Sequence, residues 1–224
     1  METRQPCPDE KMNLKIDIHI HSINSFDSSI QIEDLQEISR LKELDGVAIT
    51  DHDKFFDGKV EGLVIIPGIE VSTRNGHLLG LGQVGEIAAG LSVDETIRII
   101  HNRGGVAILA HPYDLIRGGI KPAQITEKLD GIETINSKAY PYNLSKHLAE
   151  KAAKKMGVSS LGGSDSHTLE TVGDAYTCIR SQSSSVDEII DAIRKGDVSP
   201  KGGSTGNVNQ LRRMKAAVKW RFKT

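Results

Sequence analysis

The stretch from Lys15 to Asp27, KIDIHIHSINSFD, sets His19 and His21 one residue apart and a carboxylate, Asp27, six positions further on. Ile16, Ile18 and Ile20 interleave with Asp17, His19 and His21. Period-two alternation is a strand signal, so both imidazoles leave one face, roughly 6.5–7 Å apart at Cα. Two imidazoles at that span can grip one cation, with zinc–nitrogen bonds of about 2.0–2.1 Å. A strand with one polar, solvated face has the same pattern, so the rest of the chain must decide.

Six of the eight histidines sit at or beside the ends of short apolar runs. His19/His21, Asp51/His52, Glu70, His111 and Asp165/His167 each close such a run, whereas His77 opens one, HLLGLG. His101 and His147 fall inside helical patterns and read as structural. Imidazoles and carboxylates that converge without Lys or Arg repel strongly if dry and unpaired. Divalent cations resolve that conflict. A mixed histidine and carboxylate set with no cysteine suits zinc, manganese or iron.

The elements that must position these groups alternate in kind. Strand-like runs are LKIDIHIH, GVAITDHD, LVIIPGIE, HLLGLG, GVAILAHP, GIETINS, VSSLGGSDSH and DAYTCI. Ile32 to Leu44 places Leu35, Ile38, Leu41 and Leu44 at helical spacing. Two further helices open with capping-box spacing, Ser92/Glu95 and Ser185/Glu188. A fourth, YNLSKHLAEKAAKKMG, is stopped by Gly157. Short apolar strands alternating with helices imply βα units and a mostly parallel sheet, and their number favours a closed or nearly closed barrel. In such barrels functional side chains gather at the C-terminal ends of the strands.

Composition narrows the class. The chain has 224 residues, 26% charged and 4% aromatic, an ordinary globular balance. No run approaches 18 apolar residues, and the first residues, METRQPCPDEKMN, lack an apolar core, so neither a membrane span nor a secretory signal is expected. Cys7 and Cys178 sit in no C-x-x-C motif and read as free thiols of a reducing cytoplasm. Lys201–Thr224 holds seven Lys/Arg and no Asp/Glu, while the first 200 residues hold 21 basic and 30 acidic side chains. KGGSTGNVN, Lys201 to Asn209, reads as a linker. From Val208 onward apolar residues recur every three or four positions, a basic amphipathic helix that either packs on the acidic body or contacts nucleic acid.

Six motifs in order, HIH, TDHD, GIE, GHLLG, AHP and GSDSH, resemble the polymerase and histidinol phosphatase (PHP) superfamily over about residues 14 to 180. The resemblance implies a distorted (β/α)7 barrel over residues 14–200, after a lead-in of residues 1–13 and before the linker and basic helix of 201–224. It implies two or three divalent ions (Zn, Mn or Fe). His19, His21, Glu70 and Asp165 would hold the first, with Glu70 bridging to a second held by His77 and His111. Asp27, His52 and His167 would hold the third. Where the family often carries SDG at the first loop, this chain has FDSS. The implied activity is hydrolysis of a phosphate ester on a small metabolite or nucleotide by a metal-activated water. Glu70, His52 and Asp165 would stand at the reacting centre, with Arg117 and Lys138 on the substrate phosphate. Asp51 and Asp53 flank His52 and would either orient it or serve a turn. The alternatives are a nuclease acting on short oligonucleotides, a hydrolase of C–N bonds, and a barrel that serves without catalysis as a subunit of a polymerase or ribonucleoprotein.

Overall fold

The computed structural model describes residues 11–117 and 119–206. The amphipathic segment after Val208, with Trp220, and Cys7 lie outside the described residues. The elements follow the order β1 (Met12–Ile20), α1 (Leu35–Leu41), β2 (Gly46–Ile49), β3 (Val64–Ile66), β4 (Gly68–Thr73), β5 (Gly76–Leu81), α2 (Val93–Asn102), β6 (Val106–Leu109), β7 (Gly131–Asn136), α3 (Tyr142–Met156), β8 (Ser159–Gly163), β9 (Ala175–Ser181), α4 (Val186–Lys195) and β10 (Val198–Gly202).

The strands form a mixed α/β architecture of two five-stranded sheets, ordered β10-β9-β1-β2-β3 and β4-β5-β6-β7-β8. Four pairings are parallel (β1–β2, β2–β3, β6–β7, β7–β8) and four antiparallel (β1–β9, β9–β10, β4–β5, β5–β6). The expected predominance of parallel pairs therefore gives way to an even mixture. Two strands are the cause: Arg74 and Asn75 close β4 onto β5 as a tight hairpin, with Thr73 opposite Gly76, and β9 runs antiparallel to both its neighbours, β1 and β10. No ladder between the two sheets closes a ring among the described residues. Isolated bridges join them at both seams, Ile20 with Ser166 at one, and His52 with Glu70 and Phe56 with Gly68 at the other. Backbone bonds run across the first seam from His21 N–H to Ser166 O (2.9 Å) and from Asp165 N–H to His19 O (2.8 Å).

Apolar packing fixes this arrangement. Ile16 and Ile18 of β1 share one core with Leu81, Ile108, Leu161 and Ile189, Ile190 and Ile193 of α4. α2 and α3 cover a second core through Ile97, Ile100, Ala149 and Ala153. α1 covers a third with Leu35 against Ile20, Val47 and Ile49. Each fully buried Ile or Leu contributes about 1.5–3 kcal/mol.

The helix starts and stops follow the sequence signals. Ser92 and Glu95 form a reciprocal capping box on α2, and the Ser185 hydroxyl accepts from Glu188 N–H on α4. Gly157 closes α3 in the left-handed region, φ +66°. The first helix is shorter than its Ile32–Leu44 periodicity suggests. It opens as a 3-10 turn at Ile32–Asp34 and ends at Leu41, before Glu43 turns to φ +54°. β1 takes in Met12 and Asn13 from the expected lead-in, and β10 takes in Lys201 and Gly202 from the expected linker. Pro200 is tolerated in β10 because this strand lies on the sheet edge.

Candidate metal centre

His19 and His21 are 0% exposed, which removes the solvated-face alternative for the HxH strand. Their Nε2 atoms converge to 3.1 Å. Glu70, buried in β4, stands between the two sheets and divides the imidazoles with its two oxygens. Oε2 lies 3.4 Å from His19 Nε2, 3.2 Å from His21 Nε2 and 3.1 Å from His52 Nδ1. Oε1 lies 3.0 Å from His111 Nε2 and 3.2 Å from His77 Nδ1. Asp165, just past β8, faces His21 Nε2 at 3.5 Å and His19 Nε2 at 3.9 Å through Oδ1. Asp27 sits on the outer side, 3.0 Å from His167 Nε2 and 3.8 Å from His52 Nε2. All nine histidines and acids singled out in the sequence thus meet at one rim.

His77 departs from the strand-end rule for a topological reason. β5 runs antiparallel to its neighbours β4 and β6, so its first residues lie where theirs end. Ala110 N–H accordingly bonds to His77 O at 3.4 Å. The backbone leaves β6 and β8 through unusual conformations, with φ +28° at His111 and +55° at Asp165. A non-glycine residue in this region costs about 1–3 kcal/mol, a strain that the surrounding packing must hold.

Electrostatics follow from burial and mutual contact. Burial opposes ionisation of Glu70, but His19, His111 and His21 hold it well below the usual carboxylate range. Burial likewise opposes ionisation of Asp165, and Arg117, Lys138 and His19 hold it well below its ordinary value. His19 moves well above the ordinary imidazole value: burial acts against this, and Glu133, Asp165 and Glu70 outweigh it. His167 falls to about 3 through burial, His21 and Lys138.

Three groups can each offer ligand atoms within 4.8 Å of one another: His19, His21 and Asp165; His52, Glu70 and His77; and His21, His52 and His167. The donors are imidazole nitrogens and carboxylate oxygens without sulfur, a set that fits a borderline or hard divalent cation. His111 Nδ1 is buried with no hydrogen-bond partner, while its Nε2 faces Glu70.

Arg117 and Lys138 lie on the same rim. Arg117 donates to Asp114 from Nε (3.0 Å) and Nη2 (2.6 Å), to Asn136 Oδ1 (3.2 Å), and to Asp165 from Nη1. Lys138 Nζ is 3.1 Å from the His167 ring nitrogens and 3.5 Å from Asp165 Oδ1. Both line a cavity of about 220 Å³ with Phe26, Asp27, His52, Glu70, His77, His111 and Asp165. Asp51 acts through Ser25: it accepts from Ser25 Oγ (2.8 Å), whose oxygen is 3.1 Å from His21 Nδ1 and accepts from the backbone N–H of His52 at 3.0 Å. Asp53 accepts from Ser72 N–H at 2.7 Å and serves the backbone. His101 bonds to Asp130 at 2.7 Å, a structural contact. The sequence reading missed Glu133, Asn136 and Ser25, each of which has a partner distant in sequence: His19 for Glu133, Asp165 for Asn136 and Asp51 for Ser25.

The chain is similar to known proteins in part of its sequence and in its fold. The PHP-associated family model PHP_C matches residues 143–198. An uncharacterized protein of Methanocaldococcus jannaschii is 33% identical over 141 residues, covering 55% of this chain and 82% of that protein. The fold is similar to a two-domain protein of Bacteroides vulgatus that contains a predicted PHP-like metal-dependent phosphoesterase. The TM-score is 0.66 at 16% identity, covering 96% of this chain and 73% of that one. It is similar also to the lesion-specific endonuclease EndoQ of Pyrococcus furiosus, with TM-score 0.58 at 18% identity, covering 84% and 58%. The chain is thus similar in sequence to an uncharacterized relative, matches a PHP-associated family model over residues 143–198, and shares its fold with a predicted PHP-like metal-dependent phosphoesterase.

Proposed function

We propose that this protein is a metal-dependent hydrolase of phosphate esters. One observation carries the reading: nine histidine and carboxylate side chains converge beside two cations, and six of the nine line one cavity with them. In this reading His19, His21, Glu70 and Asp165 hold one divalent ion, Glu70, His77 and His111 a second, and Asp27, His52 and His167 a third. Bound ions supply Lewis acidity toward phosphoryl oxygens and acidify a water nucleophile. The side chains do the rest. Arg117 and Lys138, both on the cavity wall, bind and orient the phosphoryl group. Glu70, held ionised, balances the charge of the imidazoles around it. His52 sits partly exposed at the rim between Glu70 and Asp27, and its proton affinity is raised: burial opposes this, and contact with Glu70 dominates.

The two sheets, joined at both seams, support a reading as halves of a distorted (β/α)7 barrel. Cys178, free among the described residues, supports a reducing, cytoplasmic setting. No described helix is long and apolar enough to cross a membrane. A second reading, cleavage of oligonucleotides, draws support from the likeness of fold to a lesion-specific endonuclease.

The test is metal analysis of protein expressed with ample metal, paired with turnover of phosphomonoesters, nucleotides and oligonucleotides. Two or three ions per chain and turnover of a phosphate ester are expected. Less than one ion per chain overturns the reading.

A further inference from the structure

Glu133 lies in β7, fully buried and outside the ligand set. Its Oε1 is 3.1 Å from His19 Nδ1. Its Oε2 accepts from His111 N–H at 2.8 Å and from Asn136 Nδ2 at 2.9 Å. The orientation of the Asn136 amide is fixed by its other end, where Oδ1 accepts from Arg117 Nη2 (3.2 Å) and Lys138 N–H (3.0 Å). Both of those groups can only donate, so Nδ2 must face Glu133 and Asp165. Two obligatory donors therefore occupy Glu133 Oε2. A carboxylate offers acceptors on both oxygens and nothing else, so Oε1 draws a proton onto His19 Nδ1.

We propose that Glu133 is a positioning residue: it fixes His19 in the Nδ1–H form, turns the Nε2 lone pair toward His21, Glu70 and Asp165, and anchors the backbone of His111. This rests on the metal-centre reading above. It joins two ligand groups through one side chain, because His19 belongs to the first ion and His111 to the second. Gly163 makes room for the contact. A Cβ at that position would stand 2.6 Å from Glu133 Oε1 and 2.6 Å from His19 Cβ. A neutral amide cannot replace the carboxylate. With its oxygen kept for His111 N–H and Asn136, glutamine would aim its NH₂ at His19 Nδ1 and push the ring proton onto Nε2, where the ligands converge.

The test uses wild-type protein, Glu133→Gln and Asp130→Asn. Asp130 is the control because it makes purely structural bonds to His101 and to Ala107 N–H. Zinc affinity is measured by competition with a chelator. The His19 ring is read by ¹⁵N–¹H NMR of zinc-loaded, histidine-labelled protein. The wild type should show a protected Nδ1–H on His19. Glu133→Gln should lose that signal and bind zinc about 10- to 100-fold more weakly. Asp130→Asn should keep the signal and the affinity even if it melts earlier. Wild-type protein that binds no zinc overturns the metal-centre reading itself. Wild-type protein that binds zinc but carries the His19 proton on Nε2 overturns the role of Glu133 alone, whether or not the variant folds. Unchanged zinc affinity in a folded Glu133→Gln protein does the same.

Discussion

Replacing Gly163 with alanine tests how closely the site is built. The new Cβ would lie 2.6 Å from both His19 Cβ and Glu133 Oε1, and 3.3 Å from His19 N. Carbon atoms pack at about 3.5–4.0 Å, so His19 or Glu133 must retreat by about 1 Å. Neither can retreat freely, since both are fully buried and bonded to each other. Overpacking of this kind costs about 1–3 kcal/mol of stability. A 1 Å misplacement of a catalytic constellation can cost about 100-fold in rate, equivalent to about 2.7 kcal/mol of barrier. Gly157→Ala provides the comparison. Gly157 has φ +66° and nothing within 4 Å of a built Cβ, so alanine there costs about 1–2 kcal/mol of conformational strain and moves no ligand. The two variants should lose similar stability, about 2–4 °C of melting temperature per kcal/mol for a chain of this size. Only Gly163→Ala should lose kcat, by about 100-fold, together with bound metal at fixed free ion concentration. A Gly163→Ala protein within threefold of wild-type kcat would refute the claim that His19 and Glu133 are positioned to within an ångström.

Other perturbations address different parts of the centre. Glu70→Gln removes the charge shared by five imidazole nitrogens at 3.0–3.4 Å, so at least one ion should be lost and kcat should fall about 1000-fold. A variant that keeps a tenth of wild-type turnover, a barrier change of about 1.4 kcal/mol, would show that Glu70 is dispensable. Arg117→Ala should weaken competitive inhibition by inorganic phosphate about 10- to 100-fold, the range for loss of a charged hydrogen bond of about 1.5–3 kcal/mol; unchanged inhibition would place the phosphate elsewhere. Chelation should lower the melting temperature, and free metal at about 100 times Kd should restore about 2.7 kcal/mol, or about 5–11 °C. A melting curve indifferent to chelator would mean that the nine donors hold no ion.

Much of the centre was legible because its elements announce themselves locally. The HxH pair declares a strand through the isoleucines between its histidines, and Ser92 with Glu95 declares a helix start through complementary hydrogen bonds three residues apart. What stayed hidden depends on contacts distant in sequence. Glu133 sits in GIETIN, a strand buried on both faces, so no periodicity marks it, and its partner His19 is 114 positions away. His77 looked anomalous because a strand's direction relative to its neighbours cannot be read from its own residues. β10 escaped notice because Pro200 argues against a central strand, and nothing local says that this one lies at an edge.

The seams between the two sheets carry one more implication. His19 belongs to the first sheet, while Glu70 and His77 belong to the second. Between the seams' few backbone bonds, ions held by these groups would act as rivets across a joint. Elements joined by few bonds open locally more often than the centres of ladders do. Under the proposed occupancy, a cell short of metal would hold more than an idle enzyme. It would hold one whose halves part more readily, offering the segments at His52 and Ser166 to proteases, so that metal supply would govern the lifetime of the protein as well as its turnover.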